Sequence, residues 1–390
     1  KRLPNEAIVC LRMQPEFSAK SYYPSSLFST FDEIEGMQEV GSRLWRSEHL
    51  PNDEDDTIAN SKVGILLFVR TTEDALNAFQ RKLNASQGTL TQSFMRDIRK
   101  LSGMDLLTNN EQILGFEPDW SSGKIEAILH PFSLDRDLAF KHFTNLLSEN
   151  GIDPSELMHK QYDGGVTFIS LTGNKNLIRA LQGYNPLRMV HPISVRDIPS
   201  LIRGTVSPGL PKAPTFTARP STTLGIIDGG INAGNDYLKN YIEAIDVVAE
   251  DALEAGIEHG TQVSSAALFG PLNKYSNNDT LPEPKVFVKS FRVLSAQNVQ
   301  DRELYEVVDA IEALVPKHPE IKVYNLSIGP RGPILDDCIS RFTFALDWLS
   351  AKYKILFCTA VGNDGELDGY NRIQSPSDMV NGLAVGAYTI

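Results

Sequence analysis

The chain has 390 residues, a length that fits two or three domains. Its formal net charge of -12 disfavours nucleic acid as a partner, and a hydrophobic content of 41% is enough for a packed core. The sequence contains no run of eighteen apolar residues, so it predicts neither a membrane-spanning helix nor a membrane partner.

Two features of the sequence favour a cytoplasmic location. The first residues, 1–6, carry no apolar signal segment. The three cysteines, Cys10, Cys338 and Cys358, are too few and too scattered for a disulfide scaffold, which favours a reducing compartment. We therefore expect a cytoplasmic protein.

The first 115 residues indicate an α+β region. Apolar runs at 7–11 and 63–69 predict strands, and the spacing of apolar residues predicts helices at 74–83 and 91–101. No internal repeat is visible in the sequence. We assign this region no chemistry and keep it as a candidate surface for a regulatory protein partner.

Residues 116–198 follow a different pattern. Their predicted elements alternate as strand, helix, strand, helix and strand, which indicates an α+β domain of ferredoxin-like type. The elements lie at 124–129, 138–149, 166–171, 174–181 and 189–193.

A proline-rich stretch divides the chain. Residues 199–220 hold five prolines and two glycines, which is typical of a linker or an extended crossover. After it, from 221 to 390, apolar strands alternate with amphipathic helices, which predicts a doubly wound parallel sheet. The predicted strands are 224–227, 285–291, 323–328, 355–360 and 383–387, and the predicted helices are 301–316 and 335–353.

Net negative charge is concentrated in this second half. From residue 221 onward there are 23 acidic and 13 basic residues, a net charge of -10. A solvated acidic face is the simplest interpretation, and a preference for basic substrates or a cation site is the sharper alternative. The densest acidic cluster comprises Glu243, Asp246, Glu250, Asp251, Glu254 and Glu258.

Three short motifs carry the chemistry. Asp228 ends an apolar run and is followed by Gly229-Gly230, His259 stands at the start of a predicted helix of small residues, and Asn363 ends a third apolar segment. Taken singly, each is more typical of a turn or of a structural side chain. Together they supply a carboxylate to orient an imidazole, an imidazole to carry a proton, and an amide donor for a developing oxyanion.

The order acid, histidine, asparagine resembles the subtilisin family of serine proteases. The resemblance covers about 220–390 and implies a serine endopeptidase acting on polypeptides, with Asp228, His259 and Asn363 as catalytic residues. It also implies substrate-binding segments, formed by Ser327, Ile328 and Gly329 on one side and by Ala360, Val361 and Gly362 on the other. Residues 116–198 resemble the inhibitory prodomain of the family in pattern only.

One departure from the family is large. The Gly-Thr-Ser motif that carries the nucleophile of the family occurs nowhere in the sequence. We therefore expect the catalytic serine beyond Ile390 and expect these 390 residues to be inactive alone. A pseudo-protease that acts as a regulatory or binding module is the alternative. The sequence has no His-Glu-x-x-His, Cys-x-x-Cys or phosphate-binding loop, so we expect no metal and no cofactor.

Overall fold

A computed structural model describes most of the chain, and the chain divides into two compact units, Lys1–Ile193 and Ser194–Ile390. The two units are described separately below. The predicted linker falls partly outside the described residues. The described residues are 5–28, 34–46, 63–85, 89–133, 136–193, 209–295, 304–330, 332–334, 338–363, 365 and 371–386.

The first unit begins with an antiparallel sheet of four strands within the described residues, in the order β2-β3-β1-β4. Its helices begin at side-chain caps, because Thr72 accepts a hydrogen bond from the Ala75 N–H and Thr91 accepts one from the Phe94 N–H. The elements are β1 Ala7–Met13, β2 Gln38–Arg46, β3 Val63–Thr71, α1 Glu73–Leu83, α2 Gln92–Ile98 and β4 Leu101–Asp105.

A second antiparallel sheet follows in the same unit, with the order β6-β7-β5-β8. The succession βαββαβ and this strand order are those of a ferredoxin-like fold, which confirms the predicted class. The short strand β6 was not predicted. The elements are α3 Asn109–Gln112, β5 Ser122–Leu129, α4 Arg136–Glu149, β6 Met158–Gln161, β7 Thr167–Asn174, α5 Lys175–Leu181 and β8 Leu187–Pro192.

The two sheets of the first unit share one arrangement. In each of them the third strand and the last strand flank the first, so both sheets have the order second, third, first, fourth. The Asn185 side chain exchanges hydrogen bonds with the Ile8 backbone, and Arg12 pairs with buried Glu111. No internal repeat is visible in the sequence, so this repeat in topology was not predicted.

The second unit contains a parallel sheet in the order β10-β11-β9-β12-β13-β14, with six strands in its described part. This confirms the predicted α/β class. Helix α6 packs on β9 and β11, and α7 packs on α8. The elements are β9 Thr222–Asp228, β10 Ile242–Asp246, α6 Glu254–Phe269, β11 Val286–Arg292, α7 Tyr305–Leu314, β12 Val323–Leu326, α8 Arg341–Tyr353, β13 Leu356–Ala360 and β14 Leu383–Val385.

Burial explains why this sheet forms. Ile226 and Ile227 of β9 are fully buried, as are Leu326 of β12 and Phe357 of β13. Strands that are covered by other elements in this way favour apolar runs over strict alternation. None of the helices within the described residues combines the length and the apolar character needed to cross a bilayer.

Candidate active site

The candidate residues follow neighbouring strands at the carboxyl end of the parallel sheet. Leu326 of β12 lies opposite Ile227 of β9 on one side and opposite Thr359 of β13 on the other. The next residue on each strand therefore comes at the same level, at the carboxyl end of the sheet. Ligands of open α/β sheets bind at this edge.

Glycines bring helix α6 unusually close to the end of β9. A Cβ atom on Gly260 would lie 2.0 Å from the Gly230 carbonyl oxygen, and one on Gly229 would lie 2.6 Å from the Gly256 Cα atom. Gly230 also has φ +114°, a conformation that favours glycine. The two motifs are thus complementary, since only side-chain-free backbone allows this approach.

Asp228 and His259 are in direct contact as a result. Asp228, the last residue of β9, is fully buried. The His259 Nδ1 atom lies 2.8 Å from Asp228 Oδ1 and 3.0 Å from Oδ2, and the Gly229 N–H also donates to Oδ1 at 2.7 Å. Because a carboxylate only accepts hydrogen bonds, Nδ1 carries the proton and Nε2 is left as the acceptor.

The imidazole of His259 faces solvent on its other side. Its side chain is 48% exposed, whereas the carboxylate behind it is inaccessible. The hydrogen bond to Asp228 raises the pKa of His259 above its ordinary value, and partial burial opposes this increase. A histidine with a raised pKa and an open Nε2 can take up and release a proton near neutral pH.

The helix that carries His259 begins earlier than the sequence suggests. The small residues after His259 place it at the start of a helix, but α6 begins at Glu254 and His259 lies in its second turn. Thr261 fixes this part of the helix to the turn after β9, since its hydroxyl donates to the Ile257 carbonyl and accepts the Asn232 N–H. The imidazole is therefore positioned by regular helix on both sides.

Asn363 lies three residues after β13 and is exposed. It follows Gly362, which has φ +114° and a Cβ position that the Gln374 side chain would overlap at 2.6 Å. Backbone hydrogen bonds hold the preceding residue, because the Val361 N–H donates to Val385 and its carbonyl accepts the Gln374 N–H. The turn that presents Asn363 is thus fixed by its neighbours.

The predicted substrate-binding segments follow β12 and β13. Ser327 and Ile328 are partly exposed, and the Ser327 hydroxyl donates to Asn325 Oδ1 at 3.0 Å. Gly329 passes so near Ser375 that a Cβ atom would lie 2.4 Å from its carbonyl oxygen. On the other strand, Ala360 is exposed, and Val361 and Gly362 are partly buried. Both segments therefore start at the same sheet edge as Asp228.

One residue of this region was not anticipated. Arg292, the last residue of β11, is almost buried and donates to Asp246 Oδ1 at 2.6 Å and to the carbonyls of Val248 and Glu250. It holds the segment after β10 beside the Asp228–His259 pair. In the sequence only its position at the end of an apolar run marks it. The described residues contain no cluster of three or more His, Cys, Asp or Glu side chains suited to a metal ion.

Fold and side-chain geometry together define an α/β protein whose parallel sheet carries a buried carboxylate and a half-exposed histidine at its carboxyl edge. Residues 219–390 match the model of the subtilase family, Peptidase_S8. This part of the chain is therefore similar to the subtilase family, the family that the resemblance named.

The relatives that match this chain include proteases, and each of these is matched over part of its length. The chain is 26% identical over 163 residues to the human membrane-bound transcription factor site-1 protease, and the same holds for the rat protein. The match covers 42% of this chain and 14% of each relative.

Two solved structures are similar to this chain. Fervidolysin from Fervidobacterium pennivorans, a keratinolytic enzyme related to subtilisin, has a TM-score of 0.39 and 14% identity over 70% of this chain and 44% of that chain. The self-cleaved protease domain of PatA has a TM-score of 0.32 and 20% identity over 44% of this chain and 58% of that chain.

Proposed function

We propose that the protein is a serine endopeptidase of subtilisin type that hydrolyses peptide bonds in polypeptide substrates. The observation that carries the proposal is the 2.8 Å contact between buried Asp228 and the Nδ1 atom of half-exposed His259. The match of residues 219–390 to the subtilase family model supports the same conclusion.

Asp228 is the carboxylate of the triad, and His259 is the residue that accepts and returns the proton. Asp228 holds the Nδ1–H tautomer, so Nε2 faces the substrate side as a proton acceptor. Nε2 takes the proton of the serine hydroxyl as the serine oxygen attacks the peptide carbonyl, and it returns this proton to the leaving amine. The buried carboxylate stabilises the imidazolium that exists between the two steps.

The other strand ends bind the substrate and its oxyanion. The Asn363 side-chain amide donates to the oxygen that becomes negative in the tetrahedral intermediate. Ser327, Ile328 and Gly329 pair with the extended substrate backbone, and 360–362 form the facing wall of the first specificity pocket. The shared register of β9, β12 and β13 at this edge favours these roles.

The nucleophile is a serine outside these 390 residues. No described serine makes a hydrogen bond with His259, and several already have other partners. Ser265 donates to the Thr261 carbonyl, Ser327 to Asn325 and Ser377 to the Gln374 carbonyl. Since a base without a nucleophile forms no acyl-enzyme, the 390-residue chain alone is inactive.

The preceding regions regulate the protease. Residues 116–198 act as a prodomain-type inhibitor or folding aid, a role that their ferredoxin-like strand order supports. Residues 1–115 bind a regulatory protein partner. Both roles are expected to change activity without contributing a catalytic side chain.

Labelling with a fluorophosphonate tests the main proposal. This reagent modifies only a serine that is activated by its histidine, so full-length protein is expected to be labelled at one serine. The 390-residue chain and full-length His259→Ala are expected to remain unlabelled.

Two outcomes would contradict the proposal. Folded full-length protein that resists labelling, even after removal of residues 1–198, would favour the pseudo-protease alternative. Labelling of a specific serine in the 390-residue chain would instead place the nucleophile inside it.

A further inference from the structure

A cavity of about 430 Å³ lies beside the Asp228–His259 pair, on the β10 side of the sheet. Gly230, two residues after Asp228, and Ile257, two residues before His259, form one wall. The rest is formed by the ends of β10 and β11 and by the segment 246–252. We call this cavity the acidic pocket. Its volume falls in the range of ligand sites, roughly 300–1,000 Å³.

The charge of the acidic pocket is negative after internal pairing. Asp246 is neutralised by Arg292, whose guanidinium also donates to two backbone carbonyls. Glu250 and Asp251 are exposed, and their carboxylates have no ion-pair or hydrogen-bond partner among the described residues. Two carboxylates therefore remain available to a positively charged ligand.

A buried serine lines the same cavity. Ser290 is 1% exposed, lines the pocket, and its Oγ atom has no hydrogen-bond partner within the described part of the chain. Ser290 lies opposite Ala244, and Arg292 lies opposite Asp246, so all four side chains share one face of the sheet. An unpaired buried hydroxyl is unfavourable, and a ligand that donates to it would remove part of that cost.

The remaining lining suits an aliphatic stem. Ala244, Ala249, Ala252 and Ile257 present methyl and methylene surface between the floor at Ser290 and the exposed carboxylates. Long basic side chains pack their methylenes on such surface while the charged group meets polar partners. A guanidinium has five N–H donors in a plane, enough for a hydroxyl and a carboxylate at once.

We propose that the acidic pocket binds an arginine side chain of the polypeptide substrate, close to the bond that is cleaved. Glu250 and Asp251 offset the charge, Ser290 accepts a hydrogen bond from the guanidinium, and Arg292 holds the segment that carries the carboxylates. The inference rests on the proposed function, because it makes the pocket a specificity site of that protease.

A purely solvated acidic face explains the pocket less well. Solvation accounts for Glu250 and Asp251, but it leaves the buried Ser290 hydroxyl without a partner. A metal ion is also disfavoured, since the described acidic residues form no cluster of three or more ligands. An arginine side chain uses the hydroxyl and the two carboxylates together.

The test measures peptide binding without catalysis. The probes are acetyl-Ala-Ala-Arg-Ala-Ala-amide and the same peptide with citrulline, which keeps the shape of arginine and lacks its charge. Saturation-transfer NMR gives the Kd of each for the 390-residue chain. We expect the arginine peptide to bind about tenfold more tightly, as two partly solvated charge pairs would give.

Variants locate the binding. The double variant Glu250→Gln/Asp251→Asn is expected to reduce the arginine preference to less than about twofold. Ser290→Ala should weaken both peptides by about fivefold without lowering the melting temperature, because the hydroxyl has no partner to lose in the free protein. Glu258→Gln removes one carboxylate from α6 outside the pocket and serves as the control.

The outcomes separate this proposal from the proposed function. Equal affinity for the arginine and citrulline peptides, or a preference that survives the double variant, overturns the acidic pocket as an arginine site. Stoichiometric binding of calcium chloride that only the double variant abolishes also overturns it, in favour of a metal site. Arginine-selective binding in a protein that fluorophosphonate never labels would support the pocket and reject the protease.

Discussion

The surroundings of His259 in the second unit differ from those of His130 in the first. His259 is half exposed and paired with a buried carboxylate. His130, directly after β5, is 2% exposed, and neither ring nitrogen has a hydrogen-bond partner among the described residues. Its ring packs on Phe68, with centroids 4.6 Å apart. One imidazole is arranged to exchange protons, and the other is enclosed by apolar and cationic groups.

The pKa values of the two histidines are shifted in opposite directions. The hydrogen bond to Asp228 raises the pKa of His259. Complete burial lowers the pKa of His130 well below its ordinary value, and the positive charges of Arg188 and Arg43 lower it further. A buried histidine is therefore not by itself evidence of catalysis, because the partner and the access to solvent decide its chemistry.

Replacing His259 should have the largest effect on activity. In full-length protein, His259→Ala should lower kcat by about a millionfold, the size measured for the equivalent loss in subtilisin. Hydrolysis of a peptide substrate gives the measurement, and Gln262→Ala, on the exposed surface of the same helix, is the control. Near-normal cleavage by His259→Ala would remove this histidine from the triad.

Replacing Asp228 should cost less. Asp228→Ala should lower kcat by about ten-thousandfold, because His259 loses the group that orients it but keeps its ability to accept a proton. Single-turnover and steady-state rates of the same substrate measure the change. A loss below about tenfold would indicate that the buried carboxylate only supports the fold at the end of β9.

Asn363 should show an intermediate effect, confined to the transition state. Asn363→Leu should raise the activation barrier by about 3 kcal/mol and appear mainly in kcat. Asn371→Leu, which replaces another exposed asparagine of the second unit, is the control. An increase in KM at constant kcat would make Asn363 a residue that binds substrate in the ground state.

The fold was predictable where strands are buried. The predicted runs around β1, β3, β5, β7, β8, β9, β11, β12, β13 and β14 correspond to strands. The four unpredicted strands, β2, β4, β6 and β10, all lie at the edge of a sheet, whereas the edge strands β8 and β14 were predicted from their apolar runs. An edge strand has solvent on one side, so it can carry polar residues and lack the apolar pattern that marks a buried strand, as these four do.

The site was predictable only through its local motifs. Asp228 and His259 are 31 residues apart and are marked by the glycines that allow their contact. Arg292 and Ser290 carry no such mark, since their surroundings depend on the register of β10 against β11. His130 was also missed, because Phe68, its packing partner, belongs to a different sheet. A sequence pattern reflects residues that are close together in the chain, whereas these environments are formed by residues that are far apart in it.

Activity should depend on pH through His259. The raised pKa of His259 means that the imidazole stays protonated to a higher pH than an isolated histidine. Since Nε2 accepts a proton only when the ring is neutral, kcat/KM should rise with pH through a midpoint above 6.5. NMR titration of the His259 ring checks the midpoint, which should move down in Asp228→Asn. A midpoint that this substitution leaves unchanged would contradict the assigned cause.

Replacing His130 should give the smallest effect, and this effect should be on the stability of the fold. The folded state keeps His130 neutral, whereas the unfolded chain takes up a proton as the pH falls below about 6.5, so acid favours unfolding. Between pH 7.5 and 5.5 one such proton amounts to about 1.4 kcal/mol. His130→Leu should lose that much less stability over this interval than the unmodified chain.

Hydrogen exchange of the β5 amides measures the difference, because these amides report opening of the first unit. His159→Gln, which removes an exposed histidine of the same unit, is the control for losing a titratable group. Equal pH dependence in the His130→Leu chain and the unmodified chain would mean that His130 is protonated alike in the folded and unfolded states, and the contrast with His259 would then rest on exposure alone.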